Sequence, residues 1–168
     1  MQSGMVLFMG MVRRGEYESL RKRGLPLGVL VDVNSRHALA DVSGFVLVER
    51  FDFSRPLTEL IEVISNIQAR QPIACLFNVG EYYVAQTADV AAALNIPYIA
   101  PTSARTCLDK NAMRRRFQER IGPDATARFY VVTSESELLD FAHQLGYPVF
   151  LQPANVAARG VVSILRKI

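Results

Sequence analysis

Residues that hold metals are scarce in this chain, with two cysteines and two histidines among 168 residues. Cys75 and Cys107 lack the C-x-x-C spacing of a zinc or dithiol site, and they read as two free, reduced thiols. His37 and His143 are far apart and have no ligand spacing, so the sequence offers no metal site. No apolar run reaches the roughly 18 residues that would cross a bilayer. The N-terminus lacks the n-region, h-region and cleavage pattern of a signal peptide, so a cytoplasmic location is expected. Glycine-rich phosphate loops are missing too. Gly10 and Gly15 give G-x-x-x-x-G with no Lys-Ser/Thr after it, which is neither G-x-G-x-x-G nor a P-loop. Asp32 closes an apolar stretch, where an acid can bind a ribose in a dinucleotide fold. Without the fingerprint, an ordinary βα turn is the preferred reading there. There are no internal repeats and no low-complexity linkers. No nucleophile–base pattern for covalent catalysis can be read.

What is present is an ordinary globular balance, 50% apolar and 21% charged. The length suits one domain, or one plus part of another. The formal net charge of +3 is unevenly spread. From Arg105 to Arg128 seven cations face Asp109, Glu119 and Asp124, and from Arg13 to Arg23 five cations face Glu16 and Glu18. The remainder is slightly acidic, so the chain carries two basic faces rather than a basic whole. Neither cluster interleaves aromatic stacking platforms, so no nucleic-acid partner is expected.

Residues 6–9 form a short apolar run ended by Gly10 and predict a buried first strand. Residues 11–23 set Tyr17 and Leu20 among charges and predict a helix stopped by Gly24 and Pro26. GVLVDV (28–33) predicts a second strand and residues 45–48 a third, with a turn at 52–56. Leu57, Leu60, Ile61, Ile64 and Ile67 recur at helical spacing and predict an amphipathic helix ended at Gln71-Pro72. Residues 73–77 predict a fourth strand. Gly80 and Glu81 open the next helix, whose Val84, Ala88, Ala91 and Ala92 allow close approach to a sheet. Asn95 closes it, and residues 97–100 predict a fifth strand between Pro97 and Pro101. Strands that alternate with helices imply an α/β, Rossmann-like domain over residues 1–103, a parallel sheet with helices on both faces. Ligands of such sheets gather outside the carboxyl ends of the strands, where residues 78–81 fall.

The pattern changes near Thr102. Asp109-Lys110 starts a basic helix carrying Arg114, Arg115 and Arg116, and Gly122-Pro123 breaks it. RFYVVT (128–133) predicts a strand. Ser134 and Glu137 form a capping box, and Leu138, Phe141, Ala142 and Leu145 continue at helical spacing to Gly146. Residues 149–151 predict a strand ending in Gln152-Pro153, residues 155–160 a loop, and residues 161–165 a last strand. These strands are expected to pair as a small antiparallel sheet, giving an α+β second domain over 104–168. Lys110 is the leading site candidate, because a cation at a helix start just after a βαβ unit suits an anionic ligand. Arg114, Arg115 and Arg116 read as a solvated helix face with one member turned toward the site. Tyr82-Tyr83 read as packing at a helix start.

These stretches resemble the ATP-grasp superfamily of carboxylate–amine ligases. Gly80-Glu81, Gln86 and Ile96-Pro97-Tyr98 resemble a segment of D-alanine–D-alanine ligases. Asp109-Lys110 with Arg114 is similar to a helix start shared with biotin carboxylases and L-amino acid ligases. Ser134 to Glu137 and Leu145-Gly146-Tyr147-Pro148-Val149 resemble the segment that follows. The resemblance implies that residues 1–103 are a pre-ATP-grasp domain and residues 104–168 the small lobe of an incomplete ATP-grasp domain. It implies ATP and Mg²⁺ as cofactors. It also implies a carboxylate activated as an acyl phosphate, and an amine or similar nucleophile that displaces the phosphate. Lys110, Gln152 and Arg159 are then the ATP-binding candidates. Glu81 either holds a substrate ammonium group or stabilises a helix N-terminus.

Three departures qualify the resemblance. Gln152 stands where the family carries a second nucleotide-binding lysine. A neutral hydrogen bond is worth ~0.5–1.5 kcal/mol against ~1.5–3 for a charged one, so affinity at that point falls roughly tenfold. Residues 154–160 hold one glycine in place of a glycine-rich flap, although Arg159 offers a cation. The chain ends at Ile168, before the lobe that carries the family's acidic metal ligands. The expectation is therefore the N-terminal part of a longer ligase, inactive as a fragment, with Mg²⁺ ligands elsewhere. Its partners would be small-molecule carboxylates and amines, with no nucleic acid and no membrane; a homodimer is compatible. The alternative is a non-catalytic nucleotide-binding or scaffold module with a degenerate ATP site.

Overall fold

Strand β1 (Met5–Gly10) is buried at every position, and the alternation of its side chains divides the first part of the molecule into two cores. The structure, a computed structural model, describes residues 4–12, 14–35, 43–153 and 163–165. It separates into two units, Met1–Ala104 and Arg105–Ile168.

In the first unit β1 pairs in parallel with β2 (Leu27–Asp32) on one side and with β4 (Ile73–Phe77) on the other, and β3 (Leu47–Phe51) extends the sheet beyond β2. The order is β3-β2-β1-β4. Met5, Leu7 and Met9 point to one face, where Leu60, Ile64 and Ile67 of α2 (Leu57–Arg70) and Val90 and Ala91 of α3 (Val84–Leu94) cover them. Val6 and Phe8 point to the other face and meet Tyr17 of α1 (Arg14–Lys22), with Phe45 edge-on to Phe8 and Tyr17. A parallel α/β sheet with helices on both faces is thus what the alternating pattern builds. Apolar strands buried on two sides need such cover.

Asn95 ends α3 in the left-handed conformation, φ 53°, with its N–H donating to the Ala91 carbonyl. Thr87 of α3 is fully buried, and its hydroxyl has no hydrogen-bond partner. A buried unsatisfied hydroxyl costs ~1–3 kcal/mol, whereas an apolar group of the same shape does not. Thr87→Val is therefore expected to stabilise the unit by about 1 kcal/mol, read as a higher midpoint in denaturant. An unchanged or lower midpoint would mean that the hydroxyl contributes.

Three expected elements of this unit need correction. Helix α1 begins at Arg14, not at residue 11, because Met11 and Val12 are drawn into the two cores from a loop. The third strand runs over Leu47–Phe51 rather than residues 45–48. As an edge strand it alternates half-buried or buried Leu47, Glu49 and Phe51 with exposed Val48 and Arg50, and Glu49 accepts from the Arg70 guanidinium of α2 (2.6 Å), so the two charges do not end it. No strand forms over residues 97–100. Pro97 has no N–H to give a ladder, and the Tyr98 hydroxyl donates instead to Asn78 Oδ1. Helix α4 (Pro101–Leu108) follows directly, with Pro101 at its first position, where a missing N–H costs nothing.

The second unit holds α5 (Lys110–Ile121), a 3-10 turn at Pro123–Ala125, α6 (Glu135–Leu145) and an antiparallel pair, β5 (Val149–Leu151) with β6 (Ser163–Leu165). Helix α6 is capped as read, and α5 carries a side-chain cap as well. The Asp109 carboxylate accepts from the N–H groups of Asn111 (2.8 Å) and Ala112 (3.1 Å). The Ser134 hydroxyl accepts from the Glu137 N–H. Glu137 reaches back to the Thr133 N–H (2.8 Å) and hydroxyl, and these bonds hold its carboxyl below the usual carboxylate range. Residues 128–133 form no strand, contrary to expectation. Their apolar side chains are used otherwise: Phe129, Tyr130, Val131 and Val132 line a cleft, and Tyr130 stacks on Phe141 with ring centroids 4.2 Å apart.

Candidate functional site

The second unit contains a cleft of about 620 Å³ between α5, α6, β5 and the extended segment 127–132. Helix α5 presents Lys110, Asn111 and Arg114 to it, an i, i+1, i+4 set that falls on one side of the first turn. Gln152, just past β5 and half-buried, lines it as well, so Lys110 and Gln152 share one cavity. Arg159 lies outside the described residues, as does the loop expected at 155–160. The apolar wall comes from Phe129, Tyr130, Phe141 and Leu145 and the start of β5.

The charge of the lining is one-sided. Among the described residues the cleft is lined by Lys110, Arg114 and Arg128, and by no carboxylate. The Arg128 guanidinium donates to the Leu145 carbonyl (3.1 Å), near the last turn of α6. The Arg114 guanidinium lies over the Phe129 ring, 5.4 Å from its centroid. The N–H groups at the start of α5 give less to a ligand than their position suggests, because Asp109 already occupies two of them. A grip on an anion here leans on side chains rather than on those two amides. No group of three or more His, Cys, Asp or Glu that could hold a metal ion is assembled among the described residues.

Glu81 belongs to the first unit. It is exposed and opens a 3-10 turn, Glu81–Tyr83, just past the carboxyl end of β4. Tyr82 beside it is exposed, whereas Tyr83 is buried and packs edge-on against Phe53. The Tyr83 hydroxyl donates to Asp32 Oδ2 (2.8 Å). Burial first, and then the bond to Asp32 and its charge, push the Tyr83 phenol up to about 12, so it stays a donor at ordinary pH. Asp32 also accepts from the Asn34 N–H, so its oxygens are engaged within the fold. This agrees with the plain turn reading and not with a ribose site. Both cysteines are free, and burial raises the Cys75 thiol.

Sequence reasoning missed Asn111, Arg128 and Phe129 as cleft residues. Phe129 was hidden in a stretch read as a strand. Arg114 was named with Asp109-Lys110 in the resemblance, whereas charge pattern alone left it one of three arginines; its i+4 spacing from Lys110 sets it apart.

The sequence matches no protein-family model and no curated protein. Solved structures do match. An L-amino acid ligase from Bacillus licheniformis superposes with a TM-score of 0.75 at 17% identity, over 98% of this chain and 39% of that one. Phosphoribosylglycinamide synthetase from Anaerococcus prevotii gives 0.67 at 18% identity, over 98% and 39%. The biotin carboxylase domain of Hydrogenobacter thermophilus 2-oxoglutarate carboxylase, solved with MgADP, ADP and bicarbonate, gives 0.70 at 15%, over 97% and 37%. The chain has the fold of part of an ATP-grasp enzyme. It spans about two fifths of the length of these ATP-grasp proteins. Among the described residues no helix is long and apolar enough to cross a membrane.

Proposed function

We propose that the chain is the phosphate-gripping part of an ATP-dependent ligase that activates a carboxylate for attack by an amine. One observation carries the reading: in an ATP-grasp fold, a cleft with an aromatic and aliphatic wall is lined by three cations and no acid. Such a cavity favours a ligand with an apolar body and a charged tail, and ATP has that form. Lys110 and Gln152 would hold the phosphates, with Arg159 adding charge. Residues 1–103 would be the pre-ATP-grasp domain, where Glu81 meets a substrate ammonium group, and residues 104–168 the small ATP-grasp lobe. Mg²⁺ would arrive with the nucleotide and find its carboxylate ligands outside the described residues. Catalysis in phosphoryl transfer is mostly positioning and charge neutralisation, and this lobe would supply part of the second.

Gln152 favours one rival reading, a module with a worn nucleotide site that binds or scaffolds without turnover. Calorimetric titration of the chain with ATP, with and without Mg²⁺, tests the nucleotide site that the first reading needs and a scaffold does not. Saturable heat is expected, and Gln152→Lys should raise affinity about tenfold, the difference between a neutral and a charged hydrogen bond. No heat from either protein would favour the scaffold.

A further inference from the structure

From β1 the chain of the first unit winds outward through β2 and β3, and it then returns to place β4 on the other side of β1. At such a reversal the carboxyl ends of the strands part and leave the crevice where ligands of open α/β sheets gather. Here a side chain of the protein fills it. The Tyr83 ring lies against Gly10, at the end of β1, and against Gly80, just past β4. A Cβ on Gly10 would stand 2.4 Å from two ring carbons, and one on Gly80 would stand 3.4 Å from the ring. Phe53 flanks the ring edge-on, with centroids 4.9 Å apart. The hydroxyl reaches the end of β2, where it donates to Asp32 Oδ2 (2.8 Å), and the Ser35 side chain bonds to it as well. At the near end of the turn, the Gly80 carbonyl accepts from the Asn78 side-chain amide (3.1 Å) and from the Tyr83 N–H (3.3 Å). The three-residue turn Glu81–Tyr83 therefore runs from the end of β4 past β1 to β2, pinned at both ends, with Glu81 and Tyr82 exposed. An aromatic ring on a floor of two glycines, with its hydroxyl on an acid at a strand end, is the way such a crevice holds a ligand.

We infer that Tyr83 is an internal ligand of this crevice, and that the Glu81–Tyr83 turn is a strap latched shut by the hydrogen bond to Asp32. Shut, the strap keeps other ligands from the strand ends and fixes the stretch that carries Glu81 and Tyr82. Open, it exposes a slot for a planar ring that bears a hydrogen-bond donor. The ring alone packs like any apolar residue, whereas the hydroxyl adds a bond to a charged acceptor, which is the stronger kind. Tyr83 and Asp32 are positioning residues for the turn. The latch needs no nucleotide in the second unit, and it stands or falls apart from the nucleotide reading.

Amide hydrogen exchange of the whole chain, read residue by residue, tests the latch. The reporters are the N–H groups of Tyr83 and Val84, which are bonded to the Gly80 and Glu81 carbonyls. Tyr83→Phe keeps the ring and removes the hydroxyl. It should speed exchange at both reporters about tenfold or more, because a hydrogen bond to a charged group is lost. Amides within β1 and α2 should change by less than about threefold, since the opening is local. Asp32→Ala should speed the same two amides. The double variant should exceed Tyr83→Phe by less than about twofold, because both changes break one bond. Equal acceleration throughout the unit would make Tyr83 an ordinary core residue and overturn the latch. Unchanged exchange at Tyr83 and Val84, or full additivity in the double variant, would overturn it too. Tyr83→Ala tests the internal ligand by leaving a slot of the tyrosine's shape. Phenol should raise the thermal midpoint of this variant saturably, and more than benzene does, with no such difference in wild type. An equal response to the two compounds, or none, would mean that the crevice has no preference for a ring with a donor, and Tyr83 would not be its ligand.

Discussion

Gly10→Ala is expected to destabilise the first unit by about 3 kcal/mol or more, from two additive causes. Gly10 ends β1 with φ +82°, a conformation that L side chains rarely adopt. A Cβ built there would also lie 2.4 Å from two carbons of the Tyr83 ring, well inside van der Waals contact. That ring cannot simply step aside, because its hydroxyl is tied to Asp32 and its edge packs on Phe53. Chemical denaturation of the chain with Gly10→Ala should show the loss as a lowered midpoint. The double variant with Tyr83→Ala separates the causes. Removal of the ring relieves the overlap but not the φ, so the double loss should be smaller than the sum of the single losses by 1 kcal/mol or more, within the range seen for residues in contact. A loss below about 1 kcal/mol for Gly10→Ala alone would mean that the ring does not press on the glycine.

That contact marks a limit of what a sequence shows. Gly10 was visible as punctuation after an apolar run, and so was the strand it ends. The reason for the glycine, a tyrosine 73 positions downstream, was not, because nothing local in the sequence couples them. Elements buried on one consistent face were the legible ones. Leu60, Ile64 and Ile67 keep helical period, and α2 emerged where they placed it. Asn95 and Ser134 carry capping chemistry in their own side chains and backbones, and they cap as read. The misreadings share one cause, which is that strands are defined by partners. Residues 97–100 and 128–133 have strand composition, but their side chains find a hydrogen bond to Asn78 in one case and a cleft and Phe141 in the other. Composition reports what a segment can bury, not which backbone it meets.

The cleft was partly legible for a related reason. Lys110 and Gln152 were singled out from motif resemblance, 42 positions apart, and both line one cavity. Resemblance supplies a residue's place in a pattern and says little about neighbours outside it. Arg128, read only as the start of a strand, entered the cavity unannounced. Asp109 shows the converse. Its place at a helix start was evident, yet its effect on the site, the occupation of two amides that an anion would otherwise use, becomes clear only from the 2.8 and 3.1 Å bonds.

That occupation raises what is asked of Lys110, and it sets the size of the loss expected on removing it. If the α5 amides faced the ligand, they would share the anion with the ammonium group and soften a substitution. With Asp109 bound to them, the Lys110 side chain carries more of the interaction at this end of the cleft. A hydrogen bond to a charged group is worth ~1.5–3 kcal/mol, so Lys110→Ala should weaken ATP binding at least tenfold and up to about a hundredfold. Adenosine, which has no phosphates, should bind within twofold of wild type. Lys110→Arg keeps the charge but replaces a compact ammonium group with a planar fork, and an intermediate affinity is expected. The measurement is the same calorimetric series used for the nucleotide reading. An ATP affinity unchanged in Lys110→Ala, beside clear binding by wild type, would remove Lys110 from the site and leave Arg114 and Gln152 to account for the anion. A parallel loss for adenosine would show that the lysine's aliphatic stem shapes the wall of the cleft, and that its charge is not what the ligand meets.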